Sequence, residues 1–301
     1  MRSSWTRAWR RLTIELPTAI DIDHAHPEGS DKEGEMNIEL NGVNFRYELD
    51  GDQAGDAPWI VFSNSLTTDV TMWDGEVAQL VDRFRILRYD TRGHGQTDAA
   101  PGPYSLDMLV GDVVALMDAV GVDKAHYVGL SLGGMIGLGL AIGHGERLLS
   151  LAACDARCYA PPEWAALWID RMVLAREKGM EALVEPTIAR WFTENFQADP
   201  ANKATLDAVR QMIRETSVEG YTGCGQALQK LDYRDGLASI SVPALFMTGA
   251  SDGSTPPAAS QEMQDGVPGS RCVIVEPASH ISNMENPAQF DAALFAHLDA
   301  A

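Results

Sequence analysis

Three residue types that together can carry out acyl transfer occur in the chain in the order serine, aspartate, histidine. Ser131 is the centre of Gly129-Leu130-Ser131-Leu132-Gly133, a G-x-S-x-G run. A beta-type tetrad, His126-Tyr127-Val128-Gly129, leads into it, and a long apolar run follows. A sharp strand-to-helix turn at this point would strain the serine backbone and push its hydroxyl out of the sheet edge. Small residues are needed two positions to either side, because neighbouring backbone crowds there. A helix starting after Ser131 would add free N–H groups and a positive dipole end, both suited to an oxyanion. Gly134, Gly137 and Gly139 are poor helix formers. They make sense if that helix must press close to the sheet.

A serine nucleophile needs a base, and the base needs an orienting acid. Of seven histidines, His24 and His26 lie near the N-terminus, and His94 and His126 precede Ser131. His144 ends the helix after Ser131, and His297 sits inside the last helix. His280, in "EPASHISNMENP", follows the last strand-like run and can reach back to Ser131. For the acid, Asp252 lies in the turn-rich loop "FMTGASDGSTPP", and Asp155 competes from one strand earlier. Strand order and the turn-like loop favour Asp252. An oxyanion hole needs two converging N–H groups. Leu132 is one candidate, and Ser65 or Leu66, in the polar loop after "WIVFSN", is the other. Two rivals stand beside this reading. One is a serine turn without chemistry. The other is a dinucleotide site with Asp155 as its acidic residue, but the second glycine of G-x-G-x-x-G would fall at Ser131 and block the pyrophosphate.

The elements that must position these residues follow from hydrophobic period. Asn41-Gly42 is a favoured tight-turn pair and predicts a hairpin between "NIEL" and "NFRYEL". Strands are predicted at 58–64, 84–90, 125–130, 148–154, 243–249 and 271–277. Helices are predicted within "MWDGEVAQLVD" and at about 105–120, 132–143 and 286–298, by the 3.6-residue period. Strands alternating with helices imply a mostly parallel sheet covered by helices on both faces. From about 161 to 235 no strand-like run occurs; "PPEWAALWIDRMVLAREKGM" opens instead with a helix-start proline pair. This predicts a helical lid over the C-terminal edge of the sheet, where open α/β sheets hold ligands. The expected divisions are an N-terminal extension over 1–35, an α/β core over 36–158 and 236–301, and a lid over 159–235. The extension reads as loosely held, or as a start codon set too far upstream.

Composition limits the partners. The 301 residues carry a net charge of −20 and are 45% hydrophobic. Such a surface repels nucleic-acid phosphates and anionic membranes, and no apolar run is long enough to span a bilayer. Four cysteines, two of them in a C-x3-C spacing that matches no common zinc pattern, are expected to be reduced, buried thiols in a cytoplasmic protein.

The runs "SNSLTTDVTMWD", "RYDTRGHGQTD", "GLSLGGMIG", "RWFT", "GYTGCGQAL", "GASDGSTPP" and "ASHISNMENP" span roughly Met36 to Leu298. Through them the chain resembles the α/β-hydrolase superfamily, and within it the 3-oxoadipate enol-lactonases of aromatic-compound breakdown. The resemblance implies the α/β-hydrolase fold and a triad of Ser131, Asp252 and His280. There are departures: Thr67 stands where the family usually has glycine, and "CDAR" follows the sixth strand. The expected activity is hydrolysis of a carboxylic ester or lactone through an acyl-enzyme, with no metal or organic cofactor. A broad carboxylesterase or lactonase is the alternative. A cofactor-free haloperoxidase-like enzyme and a non-catalytic receptor on the same fold are readings of another kind. In the lid, Trp164, Trp168 and Arg171 fall on one helical face, at i, i+4 and i+7. They could grip a flat, carboxylate-bearing lactone, with Arg190 and Trp191 as further candidates, or they could simply pack the lid on the core. The substrate is a small molecule on either view, and a homo-oligomer is compatible with the sequence.

Overall fold

The computed structural model describes residues 35–51 and 54–301; the expected N-terminal extension lies outside them but for its last residue. β1 (Glu35–Leu40) and β2 (Val43–Asp50) form the hairpin. Asn41 and Gly42 join them with φ of 51° and 72°, the doubly left-handed turn whose twist suits a two-residue hairpin.

Then come β3 (Trp59–Ser63), α1 (Asp74–Leu80), β4 (Arg85–Tyr89), α2 (Leu106–Val120), β5 (Ala125–Leu130), α3 (Leu132–Gly143) and β6 (Leu148–Cys154). Five helices follow: α4 (Pro162–Lys178), α5 (Val184–Trp191), α6 (Glu194–Ala198), α7 (Lys203–Glu215) and α8 (Val218–Leu228). The chain closes with β7 (Ala244–Gly249), α9 (Pro257–Gly266), β8 (Arg271–Val275), α10 (Ser282–Glu285) and α11 (Pro287–Leu298). Helix α1 starts later than the periodicity suggested, because a 3₁₀ turn over Val70–Trp73 precedes it. β8 stops at Val275, short of Pro277, which has no N–H to give to a ladder.

The eight strands form one sheet in the order β1-β2-β4-β3-β5-β6-β7-β8, parallel from β4 to β8. Right-handed crossovers put α2, α3 and α9 on one face and α1 on the other. There α11 joins α1, with Gln79 donating to Asp291 at 2.6 Å and Trp73 packed on Phe290. Every residue of β5 is buried, as a strand covered on both faces requires.

From β3 the chain crosses to β4 on one side; from β5 it crosses to β6 on the other. The crevice between the C-terminal ends of β3 and β5 is therefore the switch point where such sheets bind ligands. Ser65 and Leu66 follow β3 there, and Ser131 follows β5. The helices between β6 and β7 leave the sheet through a narrow neck, where Tyr159 and Asp232 form an isolated antiparallel bridge.

Candidate active site

Ser131 sits between β5 and α3 with φ 54° and ψ −110°. A Cβ on Gly129 would lie 2.3 Å from the Gly133 carbonyl, and one on Gly133 would lie 2.2 Å from the Ser63 oxygen. Both positions exclude any larger residue, so the turn can close tightly enough to expose the serine. Close packing also explains two glycines in α3. A Cβ on Gly137 would lie 2.6 Å from the Tyr127 ring, and one on Gly139 would lie 2.4 Å from the Tyr233 hydroxyl.

The Ser131 hydroxyl lies 3.0 Å from His280 Nε2, and His280 Nδ1 lies 2.8 Å from Asp252 Oδ2. Asp252 is held by its own loop. Its Oδ1 accepts from the N–H groups of Ser254 and Thr255 at 2.7 and 3.0 Å, and its Oδ2 accepts from the Thr255 hydroxyl at 2.5 Å. Burial alone would raise the Asp252 carboxyl, but the facing His280 and the Thr255 donors outweigh it and lower its pKa.

His280 is fixed from the helical side of the molecule. Its backbone N–H donates to the Trp191 carbonyl at 3.0 Å, and its ring lies 5.8 Å from the Trp191 ring. Glu285 clamps the same junction, accepting from the N–H groups of Thr193 and Ser279 at 3.0 and 2.7 Å.

Asp155 does not touch His280. Its Oδ1 accepts from the Gly249 N–H at 2.9 Å, and its Oδ2 bonds the Ser282 hydroxyl at 2.5 Å. Burial, and then the nearby Asp252 charge, raise its pKa well above the carboxylate range. The two aspartates differ in environment: Asp252 faces the His280 ring, and Asp155 faces the Gly249 N–H and the Ser282 hydroxyl.

The two N–H groups named beside the serine differ as well. Ser65 donates its N–H to Met72 Sδ at 3.3 Å, which turns that group away from the crevice. Of the Ser65–Leu66 pair, only Leu66 lines the pocket. Among the described residues, neither Leu66 nor Leu132 spends its N–H on a backbone acceptor.

Five lid candidates line one pocket with Ser131 and His280: Trp164, Trp168, Arg171, Arg190 and Trp191. Trp164 and Trp168 meet edge to face at 5.6 Å, and the Arg171 guanidinium lies 5.1 Å from the Trp168 ring centre. Among the described residues neither Arg171 nor Arg190 forms an ion pair with a carboxylate; Arg190 bonds only the Pro186 carbonyl and the Thr187 hydroxyl, at 3.2 Å each. Burial, and then Arg171, push Arg190 down to about 10. It remains a cation at neutral pH. Among the described residues, Trp168 Nε1 and the Ser254 hydroxyl are buried without partners in the same walls. Tyr221 and Thr187, on helices, and Ser254, on the loop after β7, also line the pocket and were not singled out from sequence, since nothing in their spacing marks which side chains face the crevice. The donor role of Thr255 was readable in principle, because Asp252-Gly253-Ser254-Thr255 is a turn sequence in which a carboxylate binds the backbone two residues on.

Cys154, Cys158 and Cys224 are buried free thiols; Cys272 is only partly buried, because it lies on β8 at the sheet's edge. Among the described residues no helix is long and apolar enough to cross a membrane.

Comparison with known proteins bears on the fold and the family. 3-Oxoadipate enol-lactonase 2 of Acinetobacter baylyi is 36% identical over 239 residues, 79% of this chain and 88% of the relative. The crystal structure of the enol-lactonase from Burkholderia xenovorans LB400 is 39% identical and superposes with a TM-score of 0.84, over 88% of this chain and 100% of that one. A thermophilic esterase from Thermogutta terrifontis, solved with malate bound, is 25% identical with a TM-score of 0.81, over 88% of this chain and 98% of that one. The family profile described as alpha/beta hydrolase fold matches residues 58–287, and the chain belongs to that family.

Proposed function

We propose that this hydrolase cleaves a carboxylate-bearing lactone, of the 3-oxoadipate enol-lactone class, through a serine acyl-enzyme. The observation that carries the reading is the hydrogen-bonded chain Ser131–His280–Asp252 opening into a pocket with two guanidinium groups that lack carboxylate partners. Both arginines are partly buried; a partly desolvated cation without a counter-ion is unfavourable, and a substrate carboxylate would satisfy both. The malate held by the Thermogutta esterase and the names of the enol-lactonase relatives support an anionic substrate.

His280 Nε2 takes the Ser131 proton as Oγ attacks the lactone carbonyl. Asp252 holds the Nδ1–H tautomer and stabilises the imidazolium. The Leu132 and Leu66 N–H groups receive the oxyanion. Collapse expels the enol oxygen, which His280 protonates, and the opened ring stays tethered as the acyl group. Water activated by His280 then releases the product and restores Ser131. On this reading the helices of 159–235 act as a specificity lid, and the substrate is a cytoplasmic metabolite.

The test uses two substrates, 3-oxoadipate enol-lactone and neutral p-nitrophenyl acetate. Ser131→Ala should lower kcat on both by roughly 10⁴- to 10⁶-fold. Arg171→Met or Arg190→Met should cut kcat/KM for the anion by roughly 10- to 150-fold, the worth of a charge-assisted contact, and spare the neutral ester. Parallel loss on both substrates would mean that the arginines serve structure, and a broad carboxylesterase would then be the better reading.

A further inference from the structure

Thr67 is the third residue of the turn that carries Leu66, which closes as the Thr68 N–H donates to the Ser65 carbonyl at 3.2 Å. Its φ is 65°. That left-handed conformation is one that glycine adopts freely at this place in a turn. In a β-branched residue it is a true outlier. Strain of this kind persists only where the surroundings impose it, and it gathers at functional sites.

The side chain shows what the strain holds in place. Thr67 is 2% exposed and lines the pocket with Ser131 and His280, and among the described residues its Oγ1 has no hydrogen-bond partner. The next residue behaves differently: Thr68 Oγ1 is engaged by the Ser65 carbonyl and Met72 Sδ, both at 2.9 Å. A buried hydroxyl left unpaired is unfavourable unless a ligand completes it. Backbone strain and an orphan donor therefore coincide in one residue, next to the Leu66 N–H and in the wall that faces the nucleophile.

We propose that the Thr67 hydroxyl is a third hydrogen-bond donor to the reacting carbonyl oxygen, beside the Leu66 and Leu132 N–H groups. The proton stays on Oγ1 throughout; the bond strengthens as the carbonyl oxygen becomes an anion and relaxes as the acyl-enzyme forms. The proposal rests on Ser131 as the nucleophile. Because the carbonyl oxygen is common to every ester and lactone, Thr67 serves the reaction on any substrate, whereas the arginines serve selection.

The competing explanation is that the Thr67 methyl group fills space, and three variants separate the two. Thr67→Val keeps the β-branch and the shape and removes only the hydroxyl. It should lower kcat by roughly 10- to 100-fold on both the enol-lactone and p-nitrophenyl acetate, with KM within about twofold, as loss of a transition-state donor requires. Thr67→Ser should stay within about threefold of wild type, because it keeps the donor. Thr67→Gly suits the backbone and should fold, yet lose kcat as the valine variant does. A valine variant with more than a third of wild-type kcat would overturn the proposal, and so would a loss confined to KM or to one substrate. If the valine variant does not fold, full kcat in the glycine variant overturns it and a 10-fold loss there, with serine active, upholds it. Ser131→Ala run alongside separates the two levels. An active alanine variant sinks both readings, and an inactive one beside an active Thr67→Val sinks only this one.

Discussion

Two buried aspartates lie close enough for the charge of Asp252 to raise the pKa of Asp155, and only Asp252 touches His280. Asp252 Oδ2 stands 2.8 Å from His280 Nδ1, so its replacement by asparagine would offer an amide where a carboxylate orients an imidazole. Asp252→Asn should lower kcat by roughly 10³- to 10⁴-fold. Asp155 is different. Burial, and then the Asp252 charge, push its carboxyl toward the neutral form, and an asparagine there keeps an oxygen for the Gly249 N–H and an N–H for the Ser282 hydroxyl. Asp155→Asn should stay within about tenfold of wild type, since only one long contact, from the Ser282 N–H at 3.4 Å, lacks an acceptor. Assaying the two variants side by side decides the matter, and a larger loss in Asp155→Asn would reverse the roles. Chain order made Asp252 and His280 legible in the sequence, because consecutive strands at a sheet edge bring their loops together. The left-handed backbone of Thr67 was not legible. It depends on how the turn meets Met72 and the crevice, which no local pattern records.

At the scale of elements, strand and helix boundaries were legible wherever the hydrophobic period was strong. The spans of β5, α3 and β6 match the expected 125–130, 132–143 and 148–154. Which helix faces meet was not legible. Helix α1 carries Glu76 into its contact with α11, fully buried near Asp291. Burial, and then the Asp291 charge, raise Glu76 to about 8, from an ordinary value of 4.5. The folded state therefore binds one more proton than the unfolded state between those two values, and its stability falls as pH rises through that window. The stabilisation is complete below about pH 4.5 and gone above about pH 8. Glu76→Gln cannot titrate, so its melting temperature should gain on wild type by about 3 °C or more between pH 5 and pH 8, equivalent to ~1 kcal/mol in a chain this long. Melting curves at the two pH values test this. An unchanged difference would mean that Glu76 is ionised in the fold, with water or a cation compensating its charge.

At the scale of the whole molecule, two fields of opposite sign act on an anionic substrate. The chain as a whole carries −20, while the pocket presents Arg171 and Arg190. Salt separates them, because they act over different distances. At 10 mM salt the screening length is about 30 Å, longer than the ~18 Å radius of gyration expected for a compact unit the size of Glu33–Ala301, so most of that unit's surface charge is felt at the pocket mouth. At 150 mM it is about 8 Å, and distant carboxylates fall silent. The arginines are partly buried and would meet the substrate at contact distance, where screening is weak. Added salt should therefore remove more repulsion than attraction. The expected outcome is a rise in kcat/KM for the anionic lactone of roughly two- to fivefold from 10 to 150 mM sodium chloride, with p-nitrophenyl acetate unchanged as the neutral control. The rise should appear in both the wild type and Thr67→Val, since a donor to the carbonyl oxygen does not alter approach. In Arg171→Met the same rise should start from a lower value. A fall in kcat/KM with salt would show that attraction at the mouth outweighs the acidic surface, and would place the selecting charge on exposed groups rather than on the two pocket arginines.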